Sequence, residues 1–295
     1  MRIVVTGGGG RIGRSTVAEL AQHDHEVTVL DVVPPGAPFP RGVTLRLGSV
    51  DDCGSVMAVL RNARAEAVVH LARATTNHDD LTVFRSNVLG TYHILQSAAA
   101  CGTRVALVAS SIQALGDYWS LQQSPLTLPL AEDHPVAPRS AYATSKAVIE
   151  ETCRGVSREH GLTTVAIRPT AVIVPERWPE LLARLRSARP GDRPLVDGPL
   201  ASYVDARDVA QLIHLALERA LSGELNGAHL FHASGADPML PESLAESIAQ
   251  RHPEHASLAA RLEPGSPGVS IERAKRLLGY EPRYCWRNLL EAAPQ

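Results

Sequence analysis

A doubly wound α/β sheet with a small C-terminal cap is the fold predicted for this chain of 295 residues. Three observations predict it. Short apolar runs alternate with helix-period segments from Arg2 to Arg168. Those runs (IVV, VTVL, AVVHL, VALVA) are apolar on both faces, as parallel strands between two helix layers must be. The alternation then stops at a cluster of prolines.

Residues 2–6 read as a strand, 11–23 as a helix and 26–31 as a second strand. A short strand follows at 44–47, a helix at 53–62 and a fourth strand at 67–71. A long helix over 81–100, a strand over 104–109, a helix over 141–160 and a strand over 163–168 complete the alternation. Strand–helix–strand repetition with right-handed crossovers makes a parallel sheet whose ligands bind at the carboxyl ends of its strands. Past Arg168, Pro169, Pro175, Pro179, Pro190, Pro194 and Pro199 leave room for one helix, 179–187. Residues 202–204 read as extended and 208–221 as an amphipathic helix. A strand at 228–233 is expected to join the main sheet, and helices are expected at 241–250 and 271–278. The sheet domain is therefore assigned to 1–169 plus 203–234, and the cap to 170–202 plus 235–295.

Composition excludes several functions. Apolar residues are 44%, charged residues 20% and the net charge is −2 with no long run of one sign, so nothing points to nucleic acid or an anionic membrane. Apolar runs are strand-sized, and no membrane span is expected. A glycine cluster follows residues 1–6 where a signal peptide needs an apolar stretch. The four cysteines, Cys53, Cys101, Cys153 and Cys285, are scattered without a CxxC pair. They read as free thiols in a reducing compartment, the cytoplasm, with no metal site.

Thr6-Gly7-Gly8-Gly9-Gly10-Arg11-Ile12-Gly13 joins the first strand to the first helix. Glycines at 7, 10 and 13 allow a tight turn, a close approach to a pyrophosphate and close packing of helix on strand. The helix N-terminus then offers free N–H groups to the anion. Asp31 ends the second strand, where a carboxylate accepts hydrogen bonds from ribose hydroxyls and repels a 2′-phosphate. Val32 and Val33 follow it without an arginine, which favours NAD over NADP.

Ser110-Ser111 ends the fifth strand, and Tyr142 and Lys146 stand at i and i+4 on the next helix, sharing a face. A phenol of pKa about 10 is a poor base at neutral pH. A neighbouring ammonium and a positively charged nicotinamide both stabilise its phenolate, and a serine hydroxyl polarises or orients the substrate oxygen.

With these motifs placed, the chain resembles the extended short-chain dehydrogenases/reductases of the NAD-dependent epimerase/dehydratase type. The resemblance spans almost the whole length: TGGGGRIG at 6–13, VVHLAR at 68–73, SNVLGTYHIL at 86–95 and VASS at 108–111. It continues with YATSK at 142–146, IRP at 167–169, SYVDARDVA at 202–210 and SIERAKRLLGYEPRY at 270–284. It implies a Ser111–Tyr142–Lys146 triad, with Asn87 completing a tetrad and Lys146 also holding the nicotinamide ribose. It implies a cofactor site of Gly7, Gly10, Arg11, Ile12, Gly13, Asp31, Ser49, Val50, Leu71, Ala72 and Arg73, shared with Tyr142 and Lys146. Substrate contacts are assigned to Arg73, Ser111, Ile112, Trp119, Arg168 and Trp178. His70, inside a strand, reads as a satisfied core histidine. A homodimer through the helices 81–100 and 141–160 is expected by the same likeness.

Departures from the family pattern shape the expected reaction. Ser49 stands where an aspartate often reads adenine. Thr170–Pro175 replaces the asparagine and glycine-proline turn of many nucleotide-sugar enzymes. Ile112 and Gln113 stand where sugar dehydratases carry an acid pair, which argues against dehydration. The stretch from Ser111 to Tyr142, with Asp117, Tyr118 and Trp119 and then the charge-poor residues 121–130, looks long and is read as a substrate-covering loop. The function expected is NAD-dependent hydride transfer at a secondary alcohol or ketone of a sugar, sugar acid or similar small molecule. The alternatives are a nucleotide-sugar epimerase that retains its NAD, a natural-product ketoreductase with a pocket lined by Trp119, Trp178 and Leu181, and a non-catalytic dinucleotide-binding protein.

Overall fold

The computed structural model describes residues 1–74, 79–192, 195 and 200–292, the Trp119 side chain aside. Pro194 and Pro199 therefore lie outside the described residues.

The strands are β1 (Arg2–Thr6), β2 (Glu26–Asp31), β3 (Thr44–Leu47), β4 (Ala67–His70), β5 (Val105–Ala109), β6 (Thr163–Pro169), β7 (Ala171–Ile173), β8 (Tyr203–Asp205) and β9 (Ala228–Ala233). Seven of them form one parallel sheet in the order β3-β2-β1-β4-β5-β6-β9, while β7 and β8 pair separately. The helices are α1 (Arg11–Gln22), α2 (Cys53–Asn62), α3 (Asp80–Ala100), α4 (Ala141–His160), α5 (Trp178–Ser187), α6 (Ala206–Leu221), α7 (Leu244–Arg251), α8 (Ala256–Ala259), α9 (Glu272–Leu278) and α10 (Trp286–Ala292).

Period-2 alternation explains why both sheet faces are dry. Ile3, Val5, Ala67, Val69, Val105 and Leu107 bury one face against α1, α6 and α9. Val4, Val68, Ala106 and Val108 bury the other against α2, α3 and α4. Strand order reverses at β1, which pairs with β2 on one side and β4 on the other, so a crevice opens beyond the carboxyl ends of β1 and β4.

The expected strand at residues 228–233 joins the sheet beside β6. Two parts of the expected organisation change. The tail divides: Ile271, Ala274, Leu278 and Tyr280 form a stripe packed into the sheet core, not the cap. Asp208 of α6 holds the tail there by accepting hydrogen bonds from the backbone N–H groups of Arg283 (2.8 Å) and Tyr284 (3.1 Å). Residues 111–130 instead contribute to the cap. Ile112, Leu115, Leu121, Leu128 and Leu130 are buried with Trp178, Leu181, Leu185, Tyr203, Leu244 and Trp286 in a second apolar cluster. Leu130 is also stitched to the tail by bonds to Gly268 and Ser270. That stretch is structural packing, and the covering-loop expectation fails for its buried half. β7 and α10 were not expected. Helix α7 starts later than expected because Ser243 and Glu246 close a capping box.

His70 is the satisfied core histidine expected, its Nδ1 lying 2.7 Å from the Thr6 hydroxyl. Burial lowers its pKa to about 3, and burial with Arg168 nearby does the same for His232. Both are neutral in the fold and accept protons readily only on unfolding, so unfolded chains bind more protons as pH falls below about 6.5. The melting temperature should therefore fall between pH 7 and pH 4.5; a flat profile would contradict the neutral assignment.

Candidate active site

The glycine turn is built where two backbones nearly touch. Gly7 has φ of 70°, and a Cβ on it would lie 2.6 Å from the Ala72 nitrogen. A Cβ on Gly13 would lie 2.2 Å from the Gly7 carbonyl oxygen. Gly10 closes the turn by donating to that oxygen (3.0 Å) and leads into α1 with no side-chain cap. The first N–H groups of α1 thus face the crevice without a side chain to satisfy them. Arg11 is exposed beside them, and Ile12 packs its side chain toward the core.

Asp31 stands at the end of β2, accepting bonds from the N–H groups of Gly9 (2.9 Å) and Val32 (2.8 Å). These fix its carboxylate at the lip of the turn. Ser49 accepts from the Asp51 N–H at 3.1 Å, and Val50 contacts α3 through its carbonyl, which lies 3.3 Å from His93 Nδ1. The loop after β4 is tied back to β1: Leu71 N–H donates to the Thr6 carbonyl (3.0 Å) and Ala72 N–H to the Thr6 hydroxyl (3.4 Å).

Asn87 joins this loop to α4. Its Oδ1 accepts from the Ala74 N–H (2.9 Å), and its Nδ2 donates to the Ser145 hydroxyl (3.2 Å). Ser145 in turn donates to the Tyr142 carbonyl (2.7 Å). One buried amide therefore sets the spacing between Arg73 and Tyr142. Lys146 Nζ lies 5.6 Å from the centre of the Tyr142 ring, and the Arg73 guanidinium carbon lies 5.8 Å from it. The Lys146 ammonium donates to the Ala109 carbonyl at 2.7 Å. Burial lowers its pKa to about 7, with Arg73 adding to the fall and Glu150 opposing it. Ser111, half-buried, caps the 3-10 turn at Ile112–Leu115 by accepting from the Gln113 N–H.

Beneath these residues lies a polar network that sequence reasoning missed. Ser110 donates to Glu150 Oε1 at 2.6 Å, and Arg168 grips both Glu150 oxygens at 2.8 and 2.7 Å. The Arg168 fork also reaches the Glu132 carbonyl (3.2 Å) and the His232 ring (3.4 Å), while the Glu132 carboxylate accepts from the His232 N–H. A signal existed: Glu150 follows Lys146 by four residues, on the same helix face.

Three expected substrate contacts are corrected. Arg168 is 0% exposed and both prongs of its fork are spent on Glu150, so it cannot meet a substrate. Trp178 is buried in the cap cluster with Nε1 donating to Asp205, and Ile112 packs in the same cluster. The Trp119 side chain lies outside the described residues.

The crevice position, the glycine turn and the tyrosine–lysine pair define a dinucleotide-dependent α/β enzyme. Residues 3–228 match the model of the NAD dependent epimerase/dehydratase family, and the chain belongs to that family. It is 26% identical to a UDP-glucose 4-epimerase of Halalkalibacterium halodurans, over 96% of this chain and 91% of the relative. A short-chain dehydrogenase/reductase superfamily protein from Agrobacterium tumefaciens, solved with bound NAD, is 25% identical with TM-score 0.72, covering 98% of this chain and 94% of that one. The UDP-glucose 4-epimerase of Thermotoga maritima, solved with UDP-glucose, shares the fold at 22% identity and TM-score 0.73, covering 99% and 96%. No helix among the described residues is long and apolar enough to cross a membrane.

The buried Glu150–Arg168 pair generates a stability prediction. Removing one partner leaves the other charge buried and unpaired, at a cost of about 3–5 kcal/mol. Glu150→Gln should lower unfolding free energy by about that amount in urea titrations. The double variant Glu150→Gln/Arg168→Met should cost less than the sum of the two single changes.

Proposed function

We propose that this chain is an NAD-dependent oxidoreductase that transfers hydride reversibly at a secondary alcohol or ketone of a sugar, sugar acid or similar small molecule, through Ser111, Tyr142 and Lys146. The observation that carries it is the Tyr142 ring held between a buried ammonium and a guanidinium at the mouth of the glycine-lined crevice. The residues fit the cofactor: Gly7 and Gly13 let the turn close against the Ala72 and Gly8 backbones as no residue with a Cβ could, α1 starts without a side-chain cap, and Asp31 is held against the turn by the Gly9 N–H. NAD bound there supplies the acceptor or donor of the hydride. Gly7, Gly10 and Gly13 with Arg11 and Ile12 hold its pyrophosphate, and Asp31 takes the ribose hydroxyls and disfavours NADP. Ser49, Val50, Leu71, Ala72 and Arg73 are the residues that would hold the rest of the dinucleotide.

Tyr142 exchanges a proton with the substrate oxygen, with the Lys146 ammonium beside its ring. Ser111 orients that oxygen by hydrogen bonding. In the oxidation direction the alcohol O–H proton passes to Tyr142 as the carbonyl forms. Asn87 serves as the tie that fixes Tyr142 against the β4 loop.

The retained-NAD epimerase is the second reading, favoured by the names of the curated relatives. Against a nucleotide-sugar substrate stands the segment after β6, which spends its backbone on pairing Ala171–Ile173 with β8. The ketoreductase reading loses Trp178 and Leu181 to the cap interior. A homodimer through α3 and α4 accords with Leu81, Phe84, Leu89 and Tyr92 exposed on α3.

One experiment separates the two leading readings: mass and absorbance analysis of the purified protein, then NADH formation with a sugar and uronic-acid panel. Net NADH supports the dehydrogenase; tightly retained dinucleotide without net NADH overturns it. Tyr142→Phe should lower the rate by at least about 10²-fold while NADH fluorescence titration still shows binding. Wild-type activity in that variant would remove Tyr142 from the mechanism. Asp31→Ala should weaken NAD more than NADP in the same titration, and equal losses would place ribose recognition elsewhere.

A further inference from the structure

Arg73 is a cation at the exposed edge of this crevice that the triad does not explain. Its backbone is pinned on both sides, Ala72 to Thr6 and Ala74 to Asn87, so its side chain leaves from a fixed point. The guanidinium lies against the Tyr142 ring and makes no hydrogen bond or ion pair among the described residues. Its sequence neighbours Leu71, Ala72 and Ala74 offer no acid. Arg168 is held by Glu150 and Arg139 by Asp117, while Arg11 stands at the glycine turn, where the proposed reading gives it to the pyrophosphate. Arg73 also works against the chemistry proposed for its neighbour, because its charge disfavours the Lys146 ammonium. Glu150, on the same helix face as Lys146, offsets little of this charge, since Arg168 already holds both its oxygens. A cation in such company is stabilised when an anion arrives with the substrate.

We propose that Arg73 is the specificity-determining residue of this site and binds a carboxylate carried by the substrate, which makes the substrate class a sugar acid. The proposal rests on the oxidoreductase reading and narrows it. A planar guanidinium meets a carboxylate through two parallel N–H bonds, and Asn87 ties the backbone beside Arg73 to the backbone of Tyr142. A single guanidinium matches one carboxylate; the diphosphate of a nucleotide sugar carries more charge than Arg73 alone would neutralise.

The test measures binding and turnover separately. NADH-loaded protein is titrated calorimetrically with D-glucuronate, D-galacturonate, their neutral parents D-glucose and D-galactose, and UDP-glucose. The uronates should bind at least tenfold tighter than the parents. Arg73→Ala should cost the uronates roughly 10- to 100-fold in affinity, the span of a hydrogen bond to a charged group, and Arg73→Lys should recover part of it. In steady-state assays with NAD the acid-to-neutral ratio of kcat/KM should collapse toward one in Arg73→Ala, chiefly through KM. Equal affinity for acid and parent overturns the proposal. So does tighter Arg73-dependent binding of UDP-glucose, which would make the anion a phosphate, or a loss confined to NADH affinity, which would assign Arg73 to the cofactor. Arg73-dependent uronate binding without NADH formation from any sugar would sink the oxidoreductase reading and leave the carboxylate site standing. Turnover of acids and parents alike, insensitive to Arg73, would do the reverse.

Discussion

The bidentate pair between Glu150 and Arg168 is the constraint on which the site's geometry depends. It joins the middle of α4 to the end of β6, and through the Ser110 hydroxyl it also takes in the end of β5. Lys146 sits one turn earlier on α4 and donates to Ala109, the residue before Ser110. The helix that carries Tyr142 and Lys146 is thereby fixed in rotation and in height over β5, which leads into Ser111. A buried ion pair is weak support for stability, because desolvation offsets most of its attraction. Its value here is directional: two hydrogen bonds of defined geometry leave α4 one way to sit.

The crevice itself follows from topology. Because β1 pairs with β2 on one side and β4 on the other, the connections after β1 and β4 diverge, and the loops at their ends are left facing each other. Gly7 and Ala72 meet across that gap at a distance no side chain tolerates. The glycine requirement and the loop after β4 are thus two sides of one contact. The same contact carries the Thr6 hydroxyl, which serves both His70 and Ala72. Asn87 extends the chain of contacts to α4. From the glycine turn to the tyrosine every step is a short polar bond or a steric stop.

Much of this was legible in the sequence because it rests on local rules. Period-2 apolar runs reveal the strands, glycine spacing reveals the turn, and the i, i+4 relation of Tyr142 and Lys146 reveals a shared face. What escaped depends on partners far apart in the chain. Arg168 looks like a site residue from its place at the end of a strand, but Glu150, eighteen positions earlier, decides that it is buried. Trp178 looks like pocket lining, and an apolar cluster drawn from 112–130, 178–185 and 286 decides otherwise. The tail looked like cap because it follows cap sequence, whereas Ile271, Ala274 and Leu278 face α6. Cap composition is least legible for the same reason: its core is assembled from short segments with no period of their own.

Electrostatics ties these layers together. A lysine buried to 3% exposure holds its proton weakly, and Arg73 weakens that hold further, with Glu150 on the same helix the larger of the groups that oppose the loss. Glu150 is itself engaged by Arg168, which limits how much charge it lends to Lys146. Arg73 and Lys146 therefore place two cationic groups beside the phenol, with Glu150 only partly opposing them. On the proposal that Arg73 takes a carboxylate, a ligand bearing negative charge offsets these cations. Such a site gains affinity from a neutralisation that an uncharged analogue of the same shape cannot supply, which is how one guanidinium can discriminate between substrates that differ in a single oxidised carbon.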